Sequence, residues 1–301
     1  AKFMTSYRNK FWDGKVRLFS LKTKKIYIGL LPYVDEFCRE RGFDFGGIED
    51  VIGEKSNEKC SQEWLADLKL PFEPREYQIE AFNETIKYGR QLLLSPTASG
   101  KSLIIYLLAR YYNKKTIVIV PTTSLVEQLT KDFVDYGYTE PVCKIYHGQE
   151  VFDSPITVTT WQSFAKAPKE VLQSFDVVVG DEAHLFKSKS LTEIMTKLTD
   201  CKYRIGLTGT LDGAHTHKLV LEGLFGAVNK VTTTKKLMDK KQLSNLAVRC
   251  LILKHSDANC KMISNGKYQD EIDYLVSSNA RNNFIRNLAL KIKGNTLVLF
   301  Q

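Results

Sequence analysis

The stretch Gln91-Leu92-Leu93-Leu94-Ser95-Pro96-Thr97-Ala98-Ser99-Gly100-Lys101-Ser102-Leu103-Ile104-Ile105-Tyr106-Leu107-Leu108-Ala109 decides the fold. A short apolar run, a polar loop and a longer apolar run spell strand, loop and helix. The loop ends in Gly-Lys-Ser, the core of a phosphate-binding loop. Backbone N–H groups of the loop Pro96-Thr97-Ala98-Ser99-Gly100, from Thr97 onward, and of the first helical turn would converge on one spot, where the helix dipole favours an anion. Gly100 lets the backbone come close. Lys101 would reach the β- and γ-phosphates, and the Ser102 hydroxyl would ligate Mg²⁺. The general pattern starts with Gly where this chain has Ser95. The plain alternative is an ordinary strand-to-helix turn.

Downstream of the loop, strands and helices alternate, which predicts a parallel sheet with covering helices. Thr116-Ile117-Val118-Ile119-Val120 is a continuous apolar strand of the buried kind. It runs into Pro121-Thr122-Thr123-Ser124, with a helix expected from Leu125. Hydroxyls and free N–H groups there can hold a phosphate of a nucleic-acid strand, or simply cap the helix. Ile156-Thr157-Val158-Thr159-Thr160-Trp161-Gln162 repeats the arrangement. Asp176-Val177-Val178-Val179-Gly180-Asp181-Glu182-Ala183-His184 delivers two adjacent acids at the C-terminal end of an apolar strand, the edge where open α/β sheets place ligands. Asp181 would hold Mg²⁺, and Glu182 would orient and deprotonate an attacking water. A last strand, Tyr203-Arg204-Ile205-Gly206-Leu207, ends at Thr208-Gly209-Thr210, whose hydroxyls can reach His184.

Upstream, residues 1–29 are basic and aromatic, with Asp13 as the sole acid. Lys15-Val16-Arg17-Leu18-Phe19 alternates like a half-buried strand, and the polar Lys22-Thr23-Lys24-Lys25 reads as a hairpin turn. Two readings stand: a surface that tracks a nucleic-acid backbone, or a solvated sheet face with its aromatics in a core. Leu31 to Gly42 reads as one helix with Pro32 in its first turn. Residues 53–61 read as a polar linker, followed by a short helix over 62–69. Pro71 and Pro74 mark the predicted domain boundary. Arg75-Glu76-Tyr77-Gln78 then leads a helix to Tyr88, and the two-faced amide of Gln78 is suited to reading adenine.

The 301 residues suffice for two domains. A hydrophobic share of 43% with 26% charged residues describes a chain that folds and stays soluble. Lys+Arg 43 against Asp+Glu 34 leaves a net charge of +9, which favours a polyanionic partner. Cys38, Cys60, Cys143, Cys201, Cys250 and Cys260 form no Cys-x-x-Cys pair and read as reduced intracellular thiols. No apolar run is long enough to span a membrane, and no signal peptide is visible. The sequence starts at Ala1 and stops inside the apolar run Thr296-Leu297-Val298-Leu299-Phe300-Gln301, so both ends are expected to be cut from a longer protein.

Taken together, these segments resemble the first core domain of superfamily 2 helicases. Arg75-x-x-Gln78 resembles the Q motif, 95–102 motif I, Pro121-Thr122-Thr123 motif Ia and Thr160-Trp161-Gln162 motif Ib. Asp181-Glu182-Ala183-His184 spells motif II in its DEAH form, and Thr208-Gly209-Thr210 resembles motif III. A closer resemblance is to the UvsW-type helicases of T4-like phages. It runs through Phe11-Trp12-Asp13-Gly14-Lys15-Val16-Arg17-Leu18, the Pro-Thr flavour of the phosphate loop, Asp132-Phe133-Val134-Asp135-Tyr136 and Val231-Thr232-Thr233-Thr234-Lys235-Lys236-Leu237-Met238.

The resemblance implies a RecA-like α/β fold with helices on both faces of a parallel sheet. Its domains would be an N-terminal α/β domain over 1–70, a first core domain over 71–240, and a linker with the start of a second over 241–301, of which 268–301 resemble its first helix and the motif IV strand. It implies ATP and Mg²⁺ as cofactors. Nucleotide would be bound by Arg75, Gln78 and 96–102, and chemistry carried by Lys101, Asp181, Glu182 and His184. Nucleic acid would meet Pro121, Thr122, Thr123, Thr160, Trp161 and Gln162, with coupling through Thr208, Gly209 and Thr210. It further implies a monomeric motor acting on branched or double-stranded DNA or an RNA–DNA hybrid in a bacterial host's cytoplasm. An RNA helicase and a DNA-binding module with a structural nucleotide site are the alternatives. Motifs V and VI are absent, so slow turnover by these residues alone is expected.

Overall fold

The computed structural model describes residues 5–11, 13–46, 58–146, 153–211 and 215–299. Trp12, residues 53–57 of the expected linker and Phe300-Gln301 lie outside the described residues. The chain divides into two compact units, Ala1–Ser244 and Asn245–Gln301.

The first unit is built on a seven-stranded, all-parallel sheet. Its strands are β3 (Arg90–Leu94), β4 (Thr116–Val120), β5 (Cys143–Ile145), β6 (Ile156–Thr160), β7 (Val177–Asp181), β8 (Tyr203–Thr208) and β9 (Val228–Lys230), in the order β5-β6-β4-β7-β8-β3-β9. A separate small antiparallel pair, β1 (Phe19–Ser20) and β2 (Lys25–Ile26), precedes it.

The strands alternate between two cores, as their period of two requires. Val118 and Val120 of β4, Val177 and Val179 of β7 and Leu93 of β3 face one core. There they meet Phe82 and Ile86 of helix Glu76–Tyr88, the apolar face of helix Lys101–Tyr112, and Val126, Leu129 and Phe133 of helix Thr123–Asp135. Ile117, Ile119, Val178 and Leu92 face the other core, with Leu191, Ile194 and Met195 of helix Lys189–Lys197 and Leu221, Leu224 and Phe225 of helix His215–Phe225. A strand buried on both sides favours apolar side chains on both faces, which is why residues 117–120 of β4 and 177–179 of β7 are unbroken β-branched runs.

Three expectations are corrected. Residues 15–18 form no strand. The ladder begins at Phe19 and pairs only Phe19 with Ile26 and Ser20 with Lys25, so the alternating run has no partner over most of its length. The helix after β4 starts at Thr123 rather than Leu125, because Thr122 takes the capping position and accepts a bond from Leu125 N. Residues 296–299 form no strand. The hairpin turn, the helix Leu31–Glu40 and the short helix Gln62–Asp67 stand where the sequence placed them.

In the second unit, helices Asp257–Ser264, Tyr268–Ser277 and Asn279–Lys291 follow a stretch with no helix or strand. None of the described residues 245–299 is buried.

Candidate nucleotide site at the C-terminal edge of the sheet

Parallel register brings the C-terminal ends of the strands to one edge. Leu94 lies beside Thr208 on β8, Asp181 beside Leu207, Ile119 of β4 beside Gly180 of β7, and Val120 beside Thr160 on β6. The 121–123 and 160–162 tips are therefore neighbours on one side of β7, and the phosphate loop and 208–210 are neighbours on the other.

The loop is laced internally. Ser95, which stands where the general pattern has Gly, is fully buried, and its hydroxyl shares a 2.6 Å hydrogen bond with the Ser99 hydroxyl. Ser95 N donates to Thr208 O, tying the loop to β8. Ala98 sits at φ 62° and Gly100 at φ 78°, both left-handed. A Cβ on Gly100 would lie 2.4 Å from Gln78 Nε2, so the close approach expected of this glycine is made to another side chain. The helix beginning at Lys101 has no side-chain cap, which leaves its first N–H groups as orphan donors at the loop.

Gln78 is only 4% exposed, and its amide is occupied. Nε2 donates to Ser99 O and Gly100 O, and Oε1 accepts from Arg75 N. Tyr77, which the sequence reading passed over, receives Arg75 Nη1 on its hydroxyl and donates to Ser99 O at 2.9 Å. Arg75, Tyr77 and Gln78 thus clamp the loop from the first turn of their helix. A Tyr-Gln pair in the first turn of a helix gives no signal of this in sequence.

Lys101 Nζ lies 3.6 Å from Glu182 Oε1. Glu182 Oε2 lies 3.3 Å from His184 Nδ1, and that nitrogen is 3.0 Å from Thr208 Oγ1. The Thr208 hydroxyl donates to Thr210 O, so it meets the imidazole as an acceptor and the network assigns the proton to Nδ1. Glu182 adopts φ 51°, an uncommon conformation for a side chain of its size that costs about 1–3 kcal/mol. The turn Ala183–Lys187 that follows brings His184 back over the strand end. Gly209 packs against the loop, since a Cβ there would sit 3.7 Å from Thr97 N.

Asp181 Oδ1 accepts from Glu182 N at 2.9 Å. Burial pushes its carboxyl above the usual range, and Lys101 pulls the other way. A carboxylate in that position gains from a cation, which fits the expected metal role. The Ser102 hydroxyl is bonded instead to the Tyr136 hydroxyl at 2.8 Å, with Asp132 also in hydrogen-bond reach. Neither partner was legible from the sequence.

At the other tips, Thr122 Oγ1 caps its helix and bonds Ser124 at 2.9 Å, while Thr160 Oγ1 bonds Ser163 at 3.2 Å. Thr122 and Gln162 are exposed. No described helix is long and apolar enough to cross a membrane.

Residues 71–213 match the family described as Type III restriction enzyme, res subunit. The ATP-dependent DNA helicase uvsW of Enterobacteria phage T4 is 33% identical over 321 residues, covering 100% of this chain and 64% of the phage protein. The DNA 3'-5' translocase XPB2 of Sulfurisphaera tokodaii is 31% identical over 159 residues, 52% of this chain and 36% of its own length. The chain therefore spans under two thirds of both relatives. A crystal structure of the UvsW helicase from bacteriophage T4 superposes with a TM-score of 0.65 at 33% identity, over 76% of this chain and 87% of that one. A second T4 UvsW crystal structure gives 0.66 at 31% identity, over 96% and 60%. On a seven-stranded parallel sheet with this phosphate loop and acid pair, such similarity along the whole chain shows that it belongs to the UvsW-type helicases.

Proposed function

We propose that this protein is an ATP-dependent DNA helicase or translocase acting on branched DNA in recombination, repair or replication, in the cytoplasm of a phage-infected bacterium. The observation that carries the reading is the continuous chain Lys101–Glu182–His184–Thr208, which joins the phosphate loop, the acid pair and the tripeptide after β8. In this reading residues 71–240 are the first motor domain, 1–70 an auxiliary domain and 241–301 the entry to a second motor domain.

The N–H groups of 97–102 and the Lys101 ammonium hold the phosphates, and Arg75, Tyr77 and Gln78 keep the loop in shape. Asp181 and Ser102 would hold Mg²⁺, which offsets the phosphates' negative charge when bound. Glu182 orients the attacking water and accepts its proton on a carboxylate oxygen. Lys101 neutralises charge on the oxygens around the transferred phosphorus. His184 senses Glu182 through Nδ1 and passes its state to Thr208. The 121–123 and 160–162 tips take backbone phosphates beside β7.

The test is steady-state ATPase of the full-length protein alone, with single-stranded DNA, with a four-way junction and with RNA. Junction-stimulated hydrolysis, reduced about 10²- to 10⁴-fold in Glu182→Gln, is expected. Stimulation by RNA alone would move the assignment to an RNA helicase. No hydrolysis under any condition would leave a DNA-binding module with a structural nucleotide site.

A further inference from the structure

The opposite edge of the sheet carries a second concentration of positive charge. Arg90 opens β3 and Arg204 is the second residue of β8, and the two are register partners on neighbouring strands. With the β1–β2 hairpin and the end of helix Lys189–Lys197 they line a cavity of about 470 Å³. Arg17, Lys25, Arg90 and Arg204 are in its wall together with Thr196 and Thr199, and no Asp or Glu lines it among the described residues.

The four cations are not equivalent. Arg17 is paired with Asp13 at 2.5 Å. Arg204 is spent on the end of a helix: Nη1 donates to Met195 O at 2.8 Å, Nε to Cys201 O at 3.2 Å, and Nη2 to Leu198 O. Arg90 makes one long bond, 3.4 Å to Cys201 O. No ion pair reaches Arg90, Arg204 or Lys25 among the described residues. Burial, and then the neighbouring Arg204, draw the Arg90 guanidinium down to about 10. It remains charged at neutral pH, largely removed from water and without a counter-ion, which is costly unless an anion arrives.

The wall is a fitted one. A Cβ on Gly223 would come within 2.9 Å of Tyr27, and one on Gly29 within 1.9 Å of Glu222 O, so the segment after the hairpin is seated tightly on helix His215–Phe225. Tyr33 also donates to the buried Glu222 carboxylate at 2.8 Å. The full length of β3, roughly 17 Å at about 3.3 Å per residue, separates Arg90 from the phosphate loop.

We propose that this cavity is a second phosphate-binding site, with Arg90 as its anchor, Lys25 at its mouth and the Thr196 and Thr199 hydroxyls as neutral donors. Guanidinium forks match the tetrahedral oxygens of a phosphate group, and the absence of carboxylates leaves its charge unopposed. The phosphate is supplied either by a nucleic-acid backbone or by a small phosphorylated molecule.

Inorganic pyrophosphate is titrated calorimetrically into the full-length protein carrying Lys101→Ala, which disables the phosphate loop. Adding Arg90→Gln should weaken the remaining binding at least tenfold, and Lys25→Gln about threefold. Lys25 is exposed, so the second variant carries the test if the first fails to fold. Salt-dependent binding of single-stranded DNA separates the two sources. A slope lowered by about 0.7 in Arg90→Gln assigns a strand phosphate; an unchanged slope with weakened pyrophosphate assigns a small molecule. Absence of pyrophosphate binding in the Lys101→Ala protein, or binding indifferent to both substitutions, overturns the proposal, and neither result bears on hydrolysis at the first site.

Discussion

Thr208 shows how one hydroxyl sets the state of a site. It donates to Thr210 O and accepts from His184, so valine in its place would keep the shape and remove the acceptor. The Thr208→Val protein should hydrolyse ATP at nearly its basal rate but lose about 5- to 150-fold of the stimulation by DNA, the range of ordinary coupling energies. Equal stimulation in both proteins would sever His184 from coupling. Asp181 makes the opposite kind of statement, about cost. Its folded carboxyl holds its proton above the ordinary value of 3.8, so the folded state binds more protons than the unfolded one across that window and stability falls as pH rises through it. Asn at 181 can still accept from Glu182 N and has no proton to lose. Asp181→Asn should therefore melt higher than the parent at pH 7, with the difference closing as pH falls toward 3.8. A lower melting temperature at pH 7 would show that burial is not the dominant influence on this group. That Asp181 and Glu182 stand at a strand end and Lys101 at a helix start was readable, because the apolar runs on either side of them fix where those elements begin and end. The Tyr136 partner of Ser102 and the Tyr77 clamp were not, because each contact joins residues whose meeting depends on how helices cross.

At the scale of elements, legibility followed burial. Residues 117–120 of β4 and 177–179 of β7 are enclosed on both faces, so those positions had to be apolar and the runs declared themselves. The 15–19 run alternates instead and meets a partner strand only at Phe19, and alternation alone does not make a ladder. Strand order was beyond the sequence, since every neighbour in a parallel sheet is reached through a crossover. Glycines at the centre record that order. Gly180 and Gly206 are register partners on β7 and β8, beneath the edge-on pair Phe186 and Phe225, whose centroids are 5.2 Å apart. A Cβ on Gly206 would meet Leu92 Cδ1 at 2.8 Å, Phe225 Cγ at 2.9 Å and Ala183 Cβ at 3.0 Å. Ala183 lies between Glu182 and His184, so the strain would reach the site. Gly206→Ala should cost about 1–3 kcal/mol by overpacking. That is a fall in Tm of about 2–12 °C at roughly 2–4 °C per kcal/mol, measured by circular dichroism. An unchanged Tm would mean that the two phenylalanines have room to move.

Across the whole molecule the two units differ in what holds them. Ala1–Ser244 encloses two apolar cores, with Phe82, Phe133, Phe164 and Phe225 wholly out of contact with water. Asn245–Gln301 has three helices and no buried residue among those described, and Leu290, Leu297 and Ile252 are each more than three-quarters exposed. A polar knot joins the first two of these helices: the Tyr274 hydroxyl meets His255 Nδ1 at 3.1 Å and receives Asn259 Nδ2 at 2.9 Å. Caps by Ser256 and Ser278 add about 1 kcal/mol each, against helices of 8, 10 and 13 residues that are marginal in water without packing. Backbone exchange should divide accordingly. In the 301-residue chain, amides of 257–291 are expected to exchange with protection below about 10², while those of β4 and β7 open only with global unfolding. Deuterium uptake resolved by peptide measures both at once. Protection over 268–291 equal to that of β4 would mean that apolar burial is not what separates the two units. Slow exchange at 257–264 alone would instead locate the stability in the Tyr274 knot, which Tyr274→Phe would then abolish.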